Sequence, residues 1–253
     1  SKKSGGITMS HLRFGKSPII SPYLINKADF ISCSQQSYVR QYDLLAGLKK
    51  GGTFLLNTFW SDEELNTHLP ASMRRYIASN DIQFYTVDAV HIARELGLGG
   101  RFNMVMQSAF FKLANIIPID DAVKYLKDAV VTSYGSKGEK VVNMNNGAID
   151  HGIESLHRVN VPAEWKDAVD EEVPVNAKTP EFITKIQNVM NRQEGDRLKV
   201  SQFAEEMVDG TFPVGGAAYE KRGTAISVPV WRPEKCIQCN QCAFVCPHAT
   251  IRP

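Results

Sequence analysis

Four cysteines within the last eighteen residues constrain this chain more than any other feature. They follow the spacing C-x2-C-x2-C-x3-C-P, and the run consists of Cys236, Cys239, Cys242, Cys246 and Pro247. This spacing is typical of bacterial-type iron-sulfur sites, in which three thiolates usually hold one 4Fe-4S cluster and the fourth holds a second cluster. The run therefore predicts four iron-sulfur ligands and a role in electron transfer.

Zinc and disulfide bonds are the alternatives for these thiols. Zinc ribbons use two C-x2-C pairs that a long loop separates, whereas the first three cysteines here are evenly spaced. The even spacing and the proline that follows favour a cluster. Cys33, the one cysteine outside the run, is predicted to be a buried strand thiol. Ile237, Ala243, Phe244 and Val245 are predicted to exclude water from the cluster.

Composition is that of an ordinary globular protein. The 253 residues are 43% hydrophobic and 22% charged, and 29 basic residues face 27 acidic ones. This near balance indicates neither nucleic acid nor an acidic membrane as a partner. No apolar run approaches the roughly 18 residues of a membrane span, and the N-terminus lacks the pattern of a signal peptide. With unpaired thiols, these features predict a cytoplasmic protein.

Short runs rich in β-forming residues predict three strands, at residues 29–33, 53–57 and 83–87. Between the first two, a helix is predicted that Ser37 would cap and that Gly51 and Gly52 would end. Crossovers of this length imply parallel pairing. Repeated strand-helix units predict an α/β fold, a doubly wound and mostly parallel sheet with covering helices. Such sheets bind ligands at the carboxyl ends of their strands.

Capping residues and helical periodicity predict the covering helices. Ser61 with Glu64 matches a capping box, and Asp88 begins a later helix. Apolar residues continue at helical spacing through residues 103–158. An acidic stretch with prolines, at residues 161–180, then marks a linker or a domain edge.

Distinctive motifs follow one another along the chain. They are Thr8-Met9-Ser10-His11-Leu12-Arg13-Phe14-Gly15, Asp209-Gly210-Thr211-Phe212-Pro213, Ala217-Ala218-Tyr219-Glu220-Lys221-Arg222-Gly223, Val228-Pro229-Val230-Trp231 and Cys246-Pro247-His248-Ala249-Thr250-Ile251-Arg252. Together they resemble the pyruvate:ferredoxin oxidoreductases, thiamine-diphosphate enzymes that make acetyl-CoA. The resemblance covers essentially the whole chain. It departs from the family at Met9 and at Gly215-Gly216, which touch no proposed role.

The resemblance implies three consecutive parts of a longer enzyme. These are a γ-like α/β domain at residues 1–168, incomplete at its N-terminus, a small Glu-Lys-Arg linker domain at 169–226, and at 227–253 the start of a two-cluster ferredoxin-like α+β domain. Thiamine diphosphate and Mg would bind elsewhere in the parent enzyme and not to this piece. The piece alone is therefore expected to be inactive.

The resemblance also implies the chemistry of the parent. Pyruvate would be decarboxylated oxidatively with coenzyme A to acetyl-CoA and CO2, and electrons would pass through 4Fe-4S clusters to ferredoxin or flavodoxin. The remaining domains, in a homodimer, would be further partners. Two other interpretations stay open: a non-catalytic γ-type electron-transfer or assembly module, which coenzyme A titration would distinguish, and a zinc-ribbon regulatory protein, which iron and sulfide analysis would exclude.

Two places in the N-terminal segment are candidates for binding the phosphates of coenzyme A. The opening residues combine lysines, hydroxyls and glycines, which by spacing alone fit either a solvated loop or an anion cradle. Under the resemblance, Lys2, Lys3 and Ser4 are the first choice. Arg13 is the second, since a guanidinium grips phosphate through two parallel hydrogen bonds, and an interdomain salt bridge is its alternative role. His11 is assigned a structural role.

Overall fold

The computed structural model describes residues 7–170, 178–203, 207–220 and 229–252. These residues fall into two compact units, one that holds the described residues up to 220 and one that holds 229–252. The larger unit contains a sheet and its covering helices. The smaller unit contains the cysteine run.

A four-stranded sheet organises the larger unit, with its strands in the order of the sequence: β1 (Ala28–Cys33), β2 (Leu48–Asn57), β3 (Gln83–Val87) and β4 (His157–Arg158). β1, β2 and β3 pair in parallel, and β4 pairs antiparallel to β3. The prediction of a mostly parallel α/β sheet is confirmed. β4 was not predicted, because a strand of two residues is too short to show alternation.

α-Helices fill the connections from β2 to β3 and from β3 to β4. Those of the sheet domain are α1 (Asp62–His68), α2 (Ala71–Ser79), α3 (Ala89–Glu95), α4 (Asn103–Ala114), α5 (Ile119–Tyr134) and α6 (Glu139–Glu154). Beyond the sheet, a π-helical segment, Ile183–Gln187, leads directly into α7 (Asn188–Asn191). None of the helices in the described part of the chain combines the length and the apolar character that crossing a membrane requires.

The predicted helix starts are confirmed in atomic detail. Ser61 Oγ accepts a hydrogen bond from the Glu64 backbone N–H at 3.3 Å, and Glu64 Oε2 accepts one from the Ser61 N–H at 2.8 Å, which completes a capping box. Asp88 Oδ1 accepts a hydrogen bond from the His91 N–H at 2.9 Å. Each cap satisfies a backbone donor at a helix N-terminus.

The helix predicted between β1 and β2 was wrong. The connection holds only a short 3-10 helix, Gln36–Arg40, and the buried Ser37 Oγ has no hydrogen-bond partner among the described atoms. Gly51 and Gly52 lie inside β2, where the pairing with β1 shifts register. Gly51 takes a φ of 72°, so the pair forms an irregularity in a strand and does not end a helix.

Apolar side chains cover both faces of the sheet, as predicted. On one face, Phe54, Leu56 and Phe84 pack against α1, α2 and the buried Trp165. On the other face, Leu55 and Val87 pack against α3, α4 and α6. Alternate residues of β2 therefore serve opposite cores, which accounts for its continuous apolar run.

Helices α4 and α6 approach each other closely at Gly152. A Cβ at this position would overlap Ser108 Oγ and lie 2.6 Å from the carbonyl oxygen of Val105, closer than real Cβ atoms come. Ser108 is itself fully buried and donates its hydroxyl to the Val105 carbonyl at 3.1 Å. The absence of a side chain at Gly152 therefore sets the distance between the two helices.

Candidate metal centre

The four cysteines of the run lie on short elements of the smaller unit. Cys236 follows a 3-10 helix, Pro233–Lys235, Cys242 lies in α8 (Gln241–Val245), and Cys246 follows α8 directly. Cys236, Cys239 and Cys242 are exposed, and Cys246 is half-buried. All four are free thiols, as cluster ligands must be.

Left-handed backbone conformations bend the chain on both sides of the second cysteine. Gln238 has a φ of 56° and Asn240 a φ of 59°, and they flank Cys239. Ala249, after the last cysteine, has a φ of 50°. Residues in this conformation turn the backbone sharply. Such turns help thiols that are separated by only two residues to point toward one metal centre.

Hydrogen bonds favour the thiolate form of the first and last cysteines. The backbone of Gln238 and, second, the side chain of Trp231 lower the pKa of Cys236 below its usual value. The backbone N–H groups of Ile251, His248 and Thr250 lower the pKa of Cys246. Thiolates are the ligand form of cysteine, and hydrogen bonds to sulfur help set the potential of an iron-sulfur cluster.

The four thiols suit a 4Fe-4S cluster chemically, but the structure does not bring them together around one centre. Among the described residues, no three His, Cys, Asp or Glu side chains converge to hold a metal ion. In small metal sites, the free energy of metal binding commonly drives folding, so the ligands converge as the metal binds. The four thiols therefore have the chemistry of cluster ligands in an open arrangement.

The apolar residues predicted to shield the cluster are mostly exposed in the described part of the smaller unit, and their shielding role stays a prediction. Ile237, Phe244 and Val245 are exposed, and only Ala243 is half-buried. Among its described residues, the smaller unit has one short α-helix, α8, which has too little surface to cover these side chains. Sequence reasoning also missed Trp231 and Thr250 as hydrogen-bond donors to sulfur, although their closeness in sequence to Cys236 and Cys246 was a usable signal.

Of the four residues predicted to contact coenzyme A, only Arg13 is described. Lys2, Lys3 and Ser4 lie outside the described residues. Arg13 is exposed on a segment without helix or strand, and neither a hydrogen bond nor an ion pair holds its guanidinium within the described part of the chain. The role of these four residues therefore stays a prediction.

The carboxyl edge of the sheet, where such folds bind ligands, is occupied by its own polar network. Asn57 at the end of β2 donates from Nδ2 to the Ser34 carbonyl oxygen and accepts at Oδ1 from the Ala89 N–H, both at 3.0 Å. Thr58 Oγ1 donates to Gln36 Oε1 at 2.7 Å. These groups tie the strand ends together, so they serve the fold.

The histidines of the larger unit also have partners. His11 Nδ1 accepts a hydrogen bond from the Ile25 N–H at 3.0 Å. His91 lies 3.1 Å from Glu95, and His151 lies 3.6 Å from Glu154, each pair on one helix. None of these contacts forms a nucleophile-base pair.

Three sequence models of known families match this chain in order. The model described as pyruvate ferredoxin/flavodoxin oxidoreductase matches residues 1–155, more than half of the chain. The chain belongs to this family. A domain of unknown function designated EKR matches residues 168–225, and a 4Fe-4S binding domain matches residues 229–252. The predicted family and its iron-sulfur segment are confirmed.

Individual relatives agree with the family. The chain is 66% identical to a pyruvate-flavodoxin oxidoreductase of Enterobacter agglomerans and 56% identical to a pyruvate:ferredoxin oxidoreductase of Moorella thermoacetica, in each case over the whole chain and 21% of the relative. It is 44% identical to a mitochondrial pyruvate dehydrogenase [NADP(+)] of Euglena gracilis, over 99% of the chain and 14% of the relative. The chain therefore spans about a fifth or less of the length of these relatives.

A solved structure with a related name is less similar. The pyruvate oxidoreductase subunit PORC of Thermotoga maritima aligns with a TM-score of 0.43 and 18% sequence identity. The alignment covers 53% of this chain and 66% of that subunit. No inference is drawn from a likeness of this size.

Proposed function

We propose that this chain is part of an enzyme that oxidatively decarboxylates pyruvate with coenzyme A to acetyl-CoA and CO2. Electrons leave this enzyme through 4Fe-4S clusters and reach ferredoxin or flavodoxin. The observation that carries the proposal is the ordered match of family models over the chain, together with the names of relatives that are up to 66% identical. The parent works as a homodimer in the cytoplasm.

The cysteine run provides the chain's part of the electron relay. Cys236, Cys239 and Cys242 hold one cluster, and Cys246 holds a neighbouring one. The lowered pKa of Cys236 and of Cys246 supports this assignment, because the same donors that favour the thiolate also hydrogen-bond cluster-ligating sulfur. When bound, a cluster supplies one-electron transfer at a potential that hydrogen bonds and solvent exposure set.

The test of this assignment is the iron and sulfide content of a Cys239→Ala variant of the longer enzyme. We expect iron, sulfide and visible absorption to fall, because one of three ligands to a cluster is lost. Cys33→Ala is the matched control, since Cys33 is a buried thiol in β1 outside the run, and its iron content should equal that of the unsubstituted enzyme. Unchanged iron and absorption in Cys239→Ala would contradict the assignment.

The N-terminal residues provide coenzyme A docking. Lys2, Lys3 and Ser4 bind phosphate, and Arg13 adds a second cation. Support for Arg13 comes from its exposed guanidinium, which no described carboxylate neutralises. A guanidinium in this state can form the paired, charge-assisted hydrogen bonds that phosphate accepts.

Calorimetric titration with coenzyme A tests docking. Arg13→Ala should weaken binding by about tenfold or more, the loss of one charge-assisted contact, and Lys2→Ala with Lys3→Ala should weaken it further. Arg101→Ala is the matched control, because Arg101 is an exposed arginine that makes no ion pair in the described residues. No binding to a folded sample would favour the non-catalytic module.

A further inference from the structure

A cavity of the larger unit is lined by one histidine from each of two neighbouring helices. His91 of α3 and His151 of α6 line it, and its volume is about 350 Å³. The other lining residues are Asp88, Ile92, Glu95, Leu96 and Ser155. The two histidine side chains are 63% and 53% exposed, so each ring can rotate about its side-chain torsions without disturbing the packing of its helix.

Each of these histidines has a carboxylate of its own helix beside it. His91 Nε2 lies 3.1 Å from Glu95 Oε1, and His151 Nδ1 lies 3.6 Å from Glu154 Oε2. The other ring nitrogens, His91 Nδ1 and His151 Nε2, have no hydrogen-bond partner among the described residues. Histidines that bind metals commonly have this arrangement, because a carboxylate on one nitrogen fixes the tautomer and makes the other nitrogen a stronger ligand.

The electrostatics of the cavity favour a cation. Asp88 and Glu95 line it, whereas no Lys or Arg does so in the part of the chain that the structure describes. The C-cap residues of α3 and α6, Leu96 and Ser155, line it as well. Helix C-termini carry a partial negative charge that stabilises nearby cations. An anionic ligand is therefore disfavoured here, and a metal cation is favoured.

The ligand type indicates which metal suits the cavity. Imidazole nitrogen is a good ligand for Zn²⁺, whereas Mg²⁺ and Ca²⁺ prefer oxygen. In residues 7–170, where this cavity lies, no three His, Cys, Asp or Glu side chains already converge on one point, so the protein supplies two nitrogen ligands and water supplies the others. Exposed side chains can converge when the metal binds.

We propose that His91 and His151 bind one zinc ion between α3 and α6. Glu95 and Glu154 orient the two rings, and water occupies the remaining positions of the zinc ion. The ion links α3, which begins two residues after β3, to α6. Zinc that binds only the folded state therefore stabilises the larger unit.

Zinc binding by the longer enzyme tests the site. The enzyme is purified without air and without a histidine tag, with its clusters loaded, and is dialysed against zinc before zinc and iron are measured by mass spectrometry. We expect His91→Ala and His151→Ala each to raise the Kd of one zinc ion per chain by about tenfold or more. Glu95→Gln should raise it by about tenfold, because the ring of His91 loses the carboxylate that orients it.

His157→Ala is the matched control. The His157 side chain is 57% exposed and lies 2.8 Å from Asp62, so it resembles the two ligands, but it does not line this cavity. The zinc affinity of this variant should equal that of the unsubstituted enzyme. Equal zinc affinity in all variants would overturn the proposal. So would a double variant that loses two zinc ions where each single variant loses one, because the two histidines would then bind zinc separately.

Anomalous diffraction at the zinc edge, from crystals of the longer enzyme, locates the ion directly. We expect one peak at about 2.0–2.1 Å from a ring nitrogen of both histidines. A peak on one histidine alone, or on cysteine sulfur only, would overturn the proposal. Iron that stays constant across the variants shows that they fold and keep their clusters. Loss of the zinc site and failure of the iron-sulfur assignment are therefore separate results.

Discussion

Asn57 is the side chain whose removal should most clearly weaken the sheet. It is 5% exposed and joins the ends of two neighbouring elements, through the Ser34 carbonyl after β1 and the Ala89 N–H at the start of α3. In Asn57→Ala the Ser34 carbonyl can turn to water, because Ser34 is exposed. The Ala89 N–H cannot, because Ala89 is fully buried.

The expected loss in the free energy of unfolding follows from what happens to these two backbone groups. An orphaned buried N–H costs about 1–3 kcal/mol, and an exchange of the exposed carbonyl for water costs little, so we expect the free energy of unfolding to fall by about 2 kcal/mol. Denaturation followed by the fluorescence of the buried Trp165 measures it, as a lower midpoint with an unchanged slope. Asn160→Ala, at an exposed asparagine whose side chain forms no hydrogen bond within the described part of the chain, is the control and should change stability by less than about 0.5 kcal/mol. Equal midpoints for the two variants would contradict the stabilising role of the Asn57 hydrogen bonds.

Two other changes should alter stability in defined ways. Gly152→Ala should destabilise the larger unit by about 1–3 kcal/mol through overlap with Ser108 and Val105, while Gly100→Ala, where a Cβ meets nothing within 4 Å, should cost little; equal thermal midpoints would contradict this. Burial raises the pKa of the Cys33 thiol to about 11, from an ordinary value of 9.0, so the folded state favours the neutral thiol. The stability that this contributes is complete below pH 9 and is lost as the pH rises toward 11. Across that range the unfolding free energy should fall by up to about 3 kcal/mol more than in Cys33→Ala, and parallel pH profiles would contradict the assignment.

The parts of the fold that local chemistry determines could be predicted from the sequence. The capping box at Ser61 and the cap at Asp88 are read from side chains that bond to their own backbone, and β3 is a short β-rich run. Gly51 was misjudged because a glycine after a helical pattern and a glycine at a strand irregularity have the same sequence signature. Only the partner strand decides between them, through the register shift with β1.

The candidate site also has features that follow from the local sequence and features that do not. The spacing of the cysteines predicts ligand identity, because it is a property of one short segment. Shielding by Ile237, Phe244 and Val245 could not be judged from that segment, since covering exposed side chains depends on surface contributed from elsewhere in a protein. The donors Trp231 and Thr250 fall between these cases, because each is near a cysteine in sequence but reaches it only through a turn.

The most direct test of the account is the metal content of the longer enzyme, purified without air. We predict iron and inorganic sulfide in about equal amounts, with visible absorption that Cys239→Ala reduces. A colourless enzyme without iron, or one with stoichiometric zinc in its place, would contradict the claim that these thiols hold an iron-sulfur cluster.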